Sequence, residues 1–239
     1  MKRIFLLCML VPLLGISQTK NVINSFRISA KSDKGAELEK ALAAHAQKYH
    51  SGDWKWRVFE IQTGPDAGGF HVTEGPNSWE AIDSRGNLGA EHTADWDKNV
   101  APLTTGIGTQ SYSTFDAEMS TVQLTDYADK IIINHTFPKP GMVNGVIGLM
   151  KKLKKIWEAG NESVAVYSAA FSGTPQYIAV TRLKAGLKEL DPAFRKSLPE
   201  RFNAVYGEGS WDYYLADYAK YVENRWSEML FYRSDLSSK

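Results

Sequence analysis

The sequence predicts an α+β fold of two tandem ferredoxin-like units, each ordered β-α-β-β-α-β, that close together into one internal barrel. Two observations carry this reading. The same order of elements occurs twice along the 239 residues. The segment ADWDKNV at 94–100 also returns as ADYAKYV at 216–222, at the same place in the second copy.

In the first copy, VINSFRISA (22–30) sets Val22, Asn24, Phe26 and Ile28 against Ile23, Ser25, Arg27 and Ser29, which is strand periodicity. Asp33 is the expected cap of an Ala-rich helix that carries Leu38, Leu42 and His45 at helical spacing and stops at Ser51-Gly52. Strands are expected over Trp54 to Ile61 and Phe70 to Glu74, joined by the turn GPDAGG. Asn77, with Glu80 three residues on, is the expected cap of the next helix. A Gly-rich break at Arg85 to Gly89 leads to a helix over Glu91 to Val100 and a strand over Tyr112 to Val122.

In the second copy KIIINHTF is a strand, and MVNGVIGLMKKLKKIWEAG is a helix ending at Gly160. SVAVYSAAF and QYIAVTRL are strands around the turn SGTP. Asp191-Pro192 opens a helical stretch that breaks at GEGS, Trp211 to Asn224 continues as helix, and WSEMLFYR is the last strand. The turn glycines Gly64 and Gly173 lie 109 residues apart and the repeated segments 122 apart, so the second copy carries 13 extra residues between its third strand and final helix. Trp96 and Tyr218 would then anchor equivalent helices, with Asp95 and Asp217 exposed or bonded to a neighbouring loop. A lone unit of this kind leaves one sheet face bare, and two units cover those faces by closing a barrel.

The N-terminus, MKRIFLLCMLVPLLGISQ, has the form of a signal peptide over 1–17. Lys2 and Arg3 form a positive start, Ile4 to Leu14 an apolar run too short to span a bilayer, and Gly15-Ile16-Ser17 a small-residue cleavage site before Gln18. The expected organisation is therefore a signal peptide at 1–17 and units at 18–124 and 125–239. Without Lys2 and Arg3 the chain has 26 basic and 27 acidic residues, which gives no global attraction to nucleic acid or anionic membrane. Cys8 is the one cysteine, so the mature chain has no disulfide, no thiolate zinc site and no cysteine nucleophile. The protein is expected to be exported, periplasmic or extracellular, soluble, and monomeric through its internal pseudo-dimer.

The stretch WKWRVFEIQTGPDAGGFHVTEGPNSW (54–79) joins a strand, a Gly turn, an aromatic-led strand and a Ser-Trp helix start. It resembles the dimeric α/β-barrel superfamily, including the antibiotic-biosynthesis-monooxygenase-like proteins. The second copy keeps a weaker form, SVAVYSAAFSGTPQYIAV. The resemblance implies a pocket inside each half-barrel, between the sheet and its helices. It also implies that some relatives oxidise aromatic substrates without a cofactor, that others bind haem, and that many have no known activity.

The candidate pocket residues are Trp56, Tyr167 and Tyr177, with Arg57 or Arg182 to orient an anion. His71, opposite Phe70 on its strand, and His135, in phase with Ile131 and Ile133, are the cavity-facing histidines to consider; a hydrogen-bonded core histidine is the structural alternative for each. His45 and His50, five apart, do not share a helix face and are read as surface or helix-edge residues. His92 would line a pocket rim. No HExxH or similar spacing occurs, so no metal site is expected. No cofactor is expected either; haem, the family-implied alternative, would take His135 as its axial ligand. KKLKK at 151–155 reads as the solvated face of an amphipathic helix, and neither a phosphate loop nor GxSxG is present. Two functions from different classes follow. One is binding of a small apolar or aromatic ligand, with cofactor-independent oxygenase chemistry as its catalytic extension. The other is a non-catalytic interaction or structural protein with a filled barrel.

Overall fold

The structure, a computed structural model, describes residues 19–169, 171 and 173–239, without the side chain at 107. The expected signal peptide lies outside the described residues. The first half contains β1 (Val22–Ala30), α1 (Gly35–Tyr49), β2 (Trp56–Ile61), β3 (Phe70–Asn77), α2 (Trp79–Ser84), α3 (Ala90–Asp95) and β4 (Thr104–Asp116). A π-helical turn, Trp96–Val100, extends α3. The second half contains β5 (Lys130–Pro138), α4 (Val143–Ala159), β6 (Val164–Ala169), β7 (Gln176–Arg182), α5 (Leu198–Tyr206), α6 (Ser210–Tyr221) and β8 (Val222–Tyr232).

The eight strands form one closed antiparallel barrel in the order β1-β3-β2-β8-β5-β7-β6-β4. Each half supplies four adjacent strands, β4-β1-β3-β2 and β8-β5-β7-β6. The seams are short: β2 meets β8 from Phe59↔Tyr232 to Ile61↔Leu230, and β4 meets β6 from Thr114↔Ser168 to Asp116↔Val166. Beyond the first seam the C-terminal tail takes over β2. Arg233 N donates to Val58 O, and Ser237 Oγ and Ser238 Oγ accept from Val58 N and Trp56 N. Closure gives every strand a neighbour on both sides, over three residue pairs at each seam.

Strand alternation sorts the side chains into layers. Phe26, Ile28, Trp56, Val58, Phe70 and Val72 pack outward with Leu38 and Leu42 of α1. Val164, Val166, Tyr177 and Ala179 pack outward with Leu149 and Met150 of α4 and with Phe202 and Tyr214. A third cluster joins Phe59, Ile61, Ile131, Ile133 and Leu230 from both halves.

Several expected boundaries are corrected. Asp33 does not cap α1: it has a φ of 62°, and the N-cap is Lys34 without a side-chain bond. Ser78, not Asn77, caps α2 by accepting from Ala81 N. β4 begins at Thr104 and stops at Asp116, short of the expected Val122. The Gly-containing run before Tyr112 pairs with β1, and Asp116 Oδ1 accepts from Met119 N and turns the chain away. Asp191 closes a local turn by accepting from Ala193 N, and α5 starts later because Ser197 and Glu200 form a capping box there. α6 ends at Tyr221, not Asn224.

Candidate functional site in the barrel lumen

The inward faces enclose a cavity of about 420 Å³ in the barrel lumen, lined by both halves. This corrects the expected location between each sheet and its helices. There the first half is filled by side chains, and the second half keeps a smaller space of about 220 Å³ beside Trp157, Tyr214 and Tyr218. The reason is parity: a strand that buries Val, Phe and Trp under helices must turn its intervening residues inward.

Of the seven candidate residues, the lumen gathers five: Arg57, His71, His135, Tyr167 and Arg182. Trp56 and Tyr177 belong to the outer cores. Trp56 stacks on His50 at 3.7 Å, and its Nε1 donates to Glu74 Oε2 at 2.9 Å. Residues not singled out from the sequence complete the site, chiefly Arg27, Tyr127 and Trp226, with the buried Glu228 bonded to Arg27 and His135 behind the lining. Their signal was a charge or large ring in phase with small polar residues, as Arg27 is with Ser25, on a strand whose other face is apolar.

One group of charges centres on Glu228. Arg27 donates to both of its carboxylate oxygens, Nη1 to Oε2 at 2.9 Å and Nη2 to Oε1, and Nη1 also donates to Asp66 Oδ2 at 2.8 Å. His135 Nε2 lies 3.0 Å from Glu228 Oε1, and its Nδ1 lies 2.8 Å from Gln176 Oε1. The His135 ring stacks on Trp226 at 3.8 Å. Burial pushes the Glu228 carboxyl up, but the bonds from His135 and Arg27 outweigh it and hold it below the usual carboxylate range. Gly64 makes room for this group: its φ is 101°, and a Cβ there would lie 2.9 Å from Glu228 Cβ. His71 stands beside the group with its Nδ1 buried and unpartnered. Burial, reinforced by the nearby Arg27 cation, pushes its imidazole down to about 3, so it is neutral near pH 7.

The other group centres on Tyr127, with the Arg57 guanidinium 3.9 Å and that of Arg182 6.0 Å from its ring centre. Arg182 donates to the carbonyls of Gln123 and Leu124 and has Asp126 at 3.8 Å. Arg57 donates to Gly75 O at 3.2 Å, and among the described residues no carboxylate lies within ion-pair range of it. Burial raises the Tyr167 phenol, which stays neutral near pH 7. Between the groups lie apolar side chains, among them Phe59, Ile131, Ile133 and Ile178, and the Ser25–Ser111 hydroxyl pair at 3.0 Å.

No protein-family model matches the chain, and no curated protein matches it by sequence. Solved structures do match, over nearly the full length. An anthrone oxidase-like protein superposes with a TM-score of 0.59 at 13% identity, covering 90% of this chain and 92% of that one. The chain has the duplicated dimeric α/β-barrel fold. A Fusobacterium nucleatum protein described as a candidate monooxygenase gives 0.52 at 10% identity, covering 88% and 91%. A chlorite dismutase variant from Candidatus Nitrospira defluvii, solved with cyanide, gives 0.52 at 9% identity, covering 91% and 93%. The fold neighbours thus include oxygenase-like proteins and chlorite dismutases; at these identities the likeness is one of fold.

Haem, the family-implied alternative to the expectation of no cofactor, does not fit the lumen residues. Both His135 nitrogens are engaged and its ring is covered by Trp226. His71 offers Nδ1, the ring nitrogen nearer its own backbone and the more hindered one for a planar macrocycle.

The histidines of α1 also differ from expectation. His45 and His50 are buried, with exposures of 1% and 3%. The helix stops at Tyr49, and His50 takes an extended backbone (φ −117°, ψ 104°), which carries its ring back toward His45. Helical spacing does not apply across a helix end.

Proposed function

We propose that this chain binds a small apolar or aromatic ligand bearing an anionic group, seated in the barrel lumen. The observation that carries the reading is Arg57, a guanidinium at an apolar cavity with no carboxylate to neutralise it among the described residues. A cation left open in such a place favours a carboxylate, sulfonate or phenolate partner, and the apolar wall takes the rest of the ligand. The volume of about 420 Å³ lies within the ordinary range for small-molecule sites and argues against a filled structural barrel. In this reading the protein is exported, works as a soluble monomer, and needs no nucleic acid or membrane.

The experiment is a pair of titrations read by fluorescence, with 1-anilinonaphthalene-8-sulfonate and its uncharged analogue N-phenyl-1-naphthylamine. Arg57→Leu should weaken the anionic probe roughly 10–100-fold, as expected for one desolvated charge-assisted contact, and leave the neutral probe unchanged. Equal binding of the sulfonate to both proteins sinks the reading.

Cofactor-independent oxygenase chemistry on a bound aromatic is the second reading, and His71 favours it. A neutral imidazole with an open nitrogen, too weakly basic to take the proton outright, accepts a hydrogen bond from the hydroxyl of an electron-rich phenol and holds it for dioxygen, one oxygen atom of which becomes the second carbonyl of the quinone product while the other leaves as water with the two displaced hydrogens. Oxygen uptake with such phenols that is lost in His71→Phe supports it, and uptake that persists in His71→Phe rejects it.

A further inference from the structure

We propose that His45, His50 and His92 form a binding site for a divalent transition-metal ion of the zinc type, on the outer face of the first half and separate from the lumen. Ligand nitrogens of the three rings lie within 4.8 Å of one another. In all three rings Nε2 is buried and has no hydrogen-bond partner. A tetrahedral ion with nitrogen ligands at ~2.0–2.1 Å holds them about 3.3 Å apart, so modest side-chain rotation closes the shell.

The surroundings orient these rings as a metal site requires. His45 Nδ1 lies 2.7 Å from Asp95 Oδ2, and His50 Nδ1 lies 3.1 Å from Glu74 Oε2. Each carboxylate accepts a hydrogen bond from Nδ1–H, which places the proton on Nδ1 and leaves the Nε2 lone pair free, as outer carboxylates do for metal-binding imidazoles. The carboxylates are themselves held. Asn99 Nδ2 donates to Asp95 Oδ1 at 2.9 Å, and Arg85 Nη2 donates to Glu74 Oε2 at 2.8 Å. Burial lowers all three histidines, which keeps them in the neutral form that coordinates metal. Without an ion, the acceptor Nε2 atoms of His45 and His50 and the Nε2 of His92 are buried together with no hydrogen-bond partner, each at a desolvation cost.

Three neutral imidazoles suit zinc and leave a fourth position for water. The ion would tie the end of α1 to α3. The second copy has no histidine on its helices and packs them with aliphatic side chains and rings, Phe202 and Trp211 standing 4.8 Å and 5.3 Å from Tyr214. Four of the chain's five histidines fall between residues 45 and 92, so the site belongs to one copy.

The test uses the mature chain stripped with EDTA and dialysed. Titration with zinc sulfate by calorimetry should give one equivalent per chain. Cobalt(II) should give the visible bands of a tetrahedral nitrogen site and be displaced by zinc. At a hundredfold excess over its Kd, zinc should raise the thermal midpoint by about 5–10 °C. His92→Ala, at a half-exposed position on a short outer helix, should keep the far-UV spectrum and lose at least 100-fold in zinc affinity. Asp95→Asn, a positioning change, should lose about 10-fold. Absence of zinc binding by the folded chain, or undiminished binding by His92→Ala, overturns the proposal; a merely structural histidine cluster gives the first result.

Discussion

Arg27 Nη1 donates to Glu228 Oε2 at 2.9 Å across the barrel lumen, so the first strand of one half is tied to the last strand of the other. β3 and β2 lie between these strands in the sheet, and the contact is therefore a product of closure. Glu228→Ala should destabilise the fold by about 3–5 kcal/mol in urea denaturation, because it leaves the Arg27 charge buried with only Asp66. Arg27→Met combined with Glu228→Leu should recover most of that loss, since an apolar pair removes both desolvation costs. The Glu228 carboxyl is depressed in the folded state, so its contribution is complete above the unfolded value of about 4.3 and disappears as pH falls through the lower folded value. A Glu228→Gln variant with an unchanged acid limb of stability contradicts this.

His71 should impose a second pH dependence, at milder acidity. Its folded value is about 3, against roughly 6.5 when unfolded. Between these values the unfolded chain binds the extra proton, so stability is full above about pH 6.5 and falls as pH drops toward 3. The slope due to His71 is at most about 1.4 kcal/mol per pH unit, and smaller where water in the lumen screens the charge. Urea midpoints at pH 7 and pH 5 should converge in His71→Gln relative to the parent; an equal drop in both proteins rules the effect out.

Trp96 and Tyr218 occupy equivalent places in the repeat, and each packs on the outer core of its own half, Trp96 at 6.2 Å from Phe26 and Tyr218 at 6.0 Å from Tyr214. Both are half-buried, so truncation to Ala should cost about 2–3 kcal/mol, below the range for fully buried aromatics. Asp97→Ala and Ala219→Asp, at exposed positions, should stay within about 0.5 kcal/mol of the parent. Differential scanning calorimetry of the four variants separates anchors from surface positions.

The proposed export makes a chemical prediction about the N-terminus. N-terminal sequencing of protein recovered outside the inner membrane should begin at or near Gln18. Recovery of the chain with Met1 intact from a membrane fraction removes the proposed compartment.

Much of the fold was legible because it rests on local rules. Period-two alternation in VINSFRISA placed Ser25 and Arg27 on the face opposite Phe26 and Ile28, and the lumen and outer core divide there. The repeat marked the final helix of each half, Trp96 in the turn that extends α3 and Tyr218 in α6. Boundaries were less legible where a side chain competes with the backbone, as at Asp116, which ends β4 by capping its own turn. The pocket candidates were read as one set although Trp56 and Arg57 are neighbours on a strand and must face opposite ways.

The sequence by itself determined the two βαββαβ units, the side of each strand that is apolar, and the absence of cysteine chemistry after residue 8. Those properties follow from periodicity and composition, which act within a few residues. Only the tertiary structure decided that the bare faces close around a cavity, that Arg27 meets Glu228, and that His45, His50 and His92 converge. These are encounters between residues 42 to 201 positions apart, or across the end of a helix. No local periodicity reports them, because their geometry is set by how sheet and helices pack after each has formed.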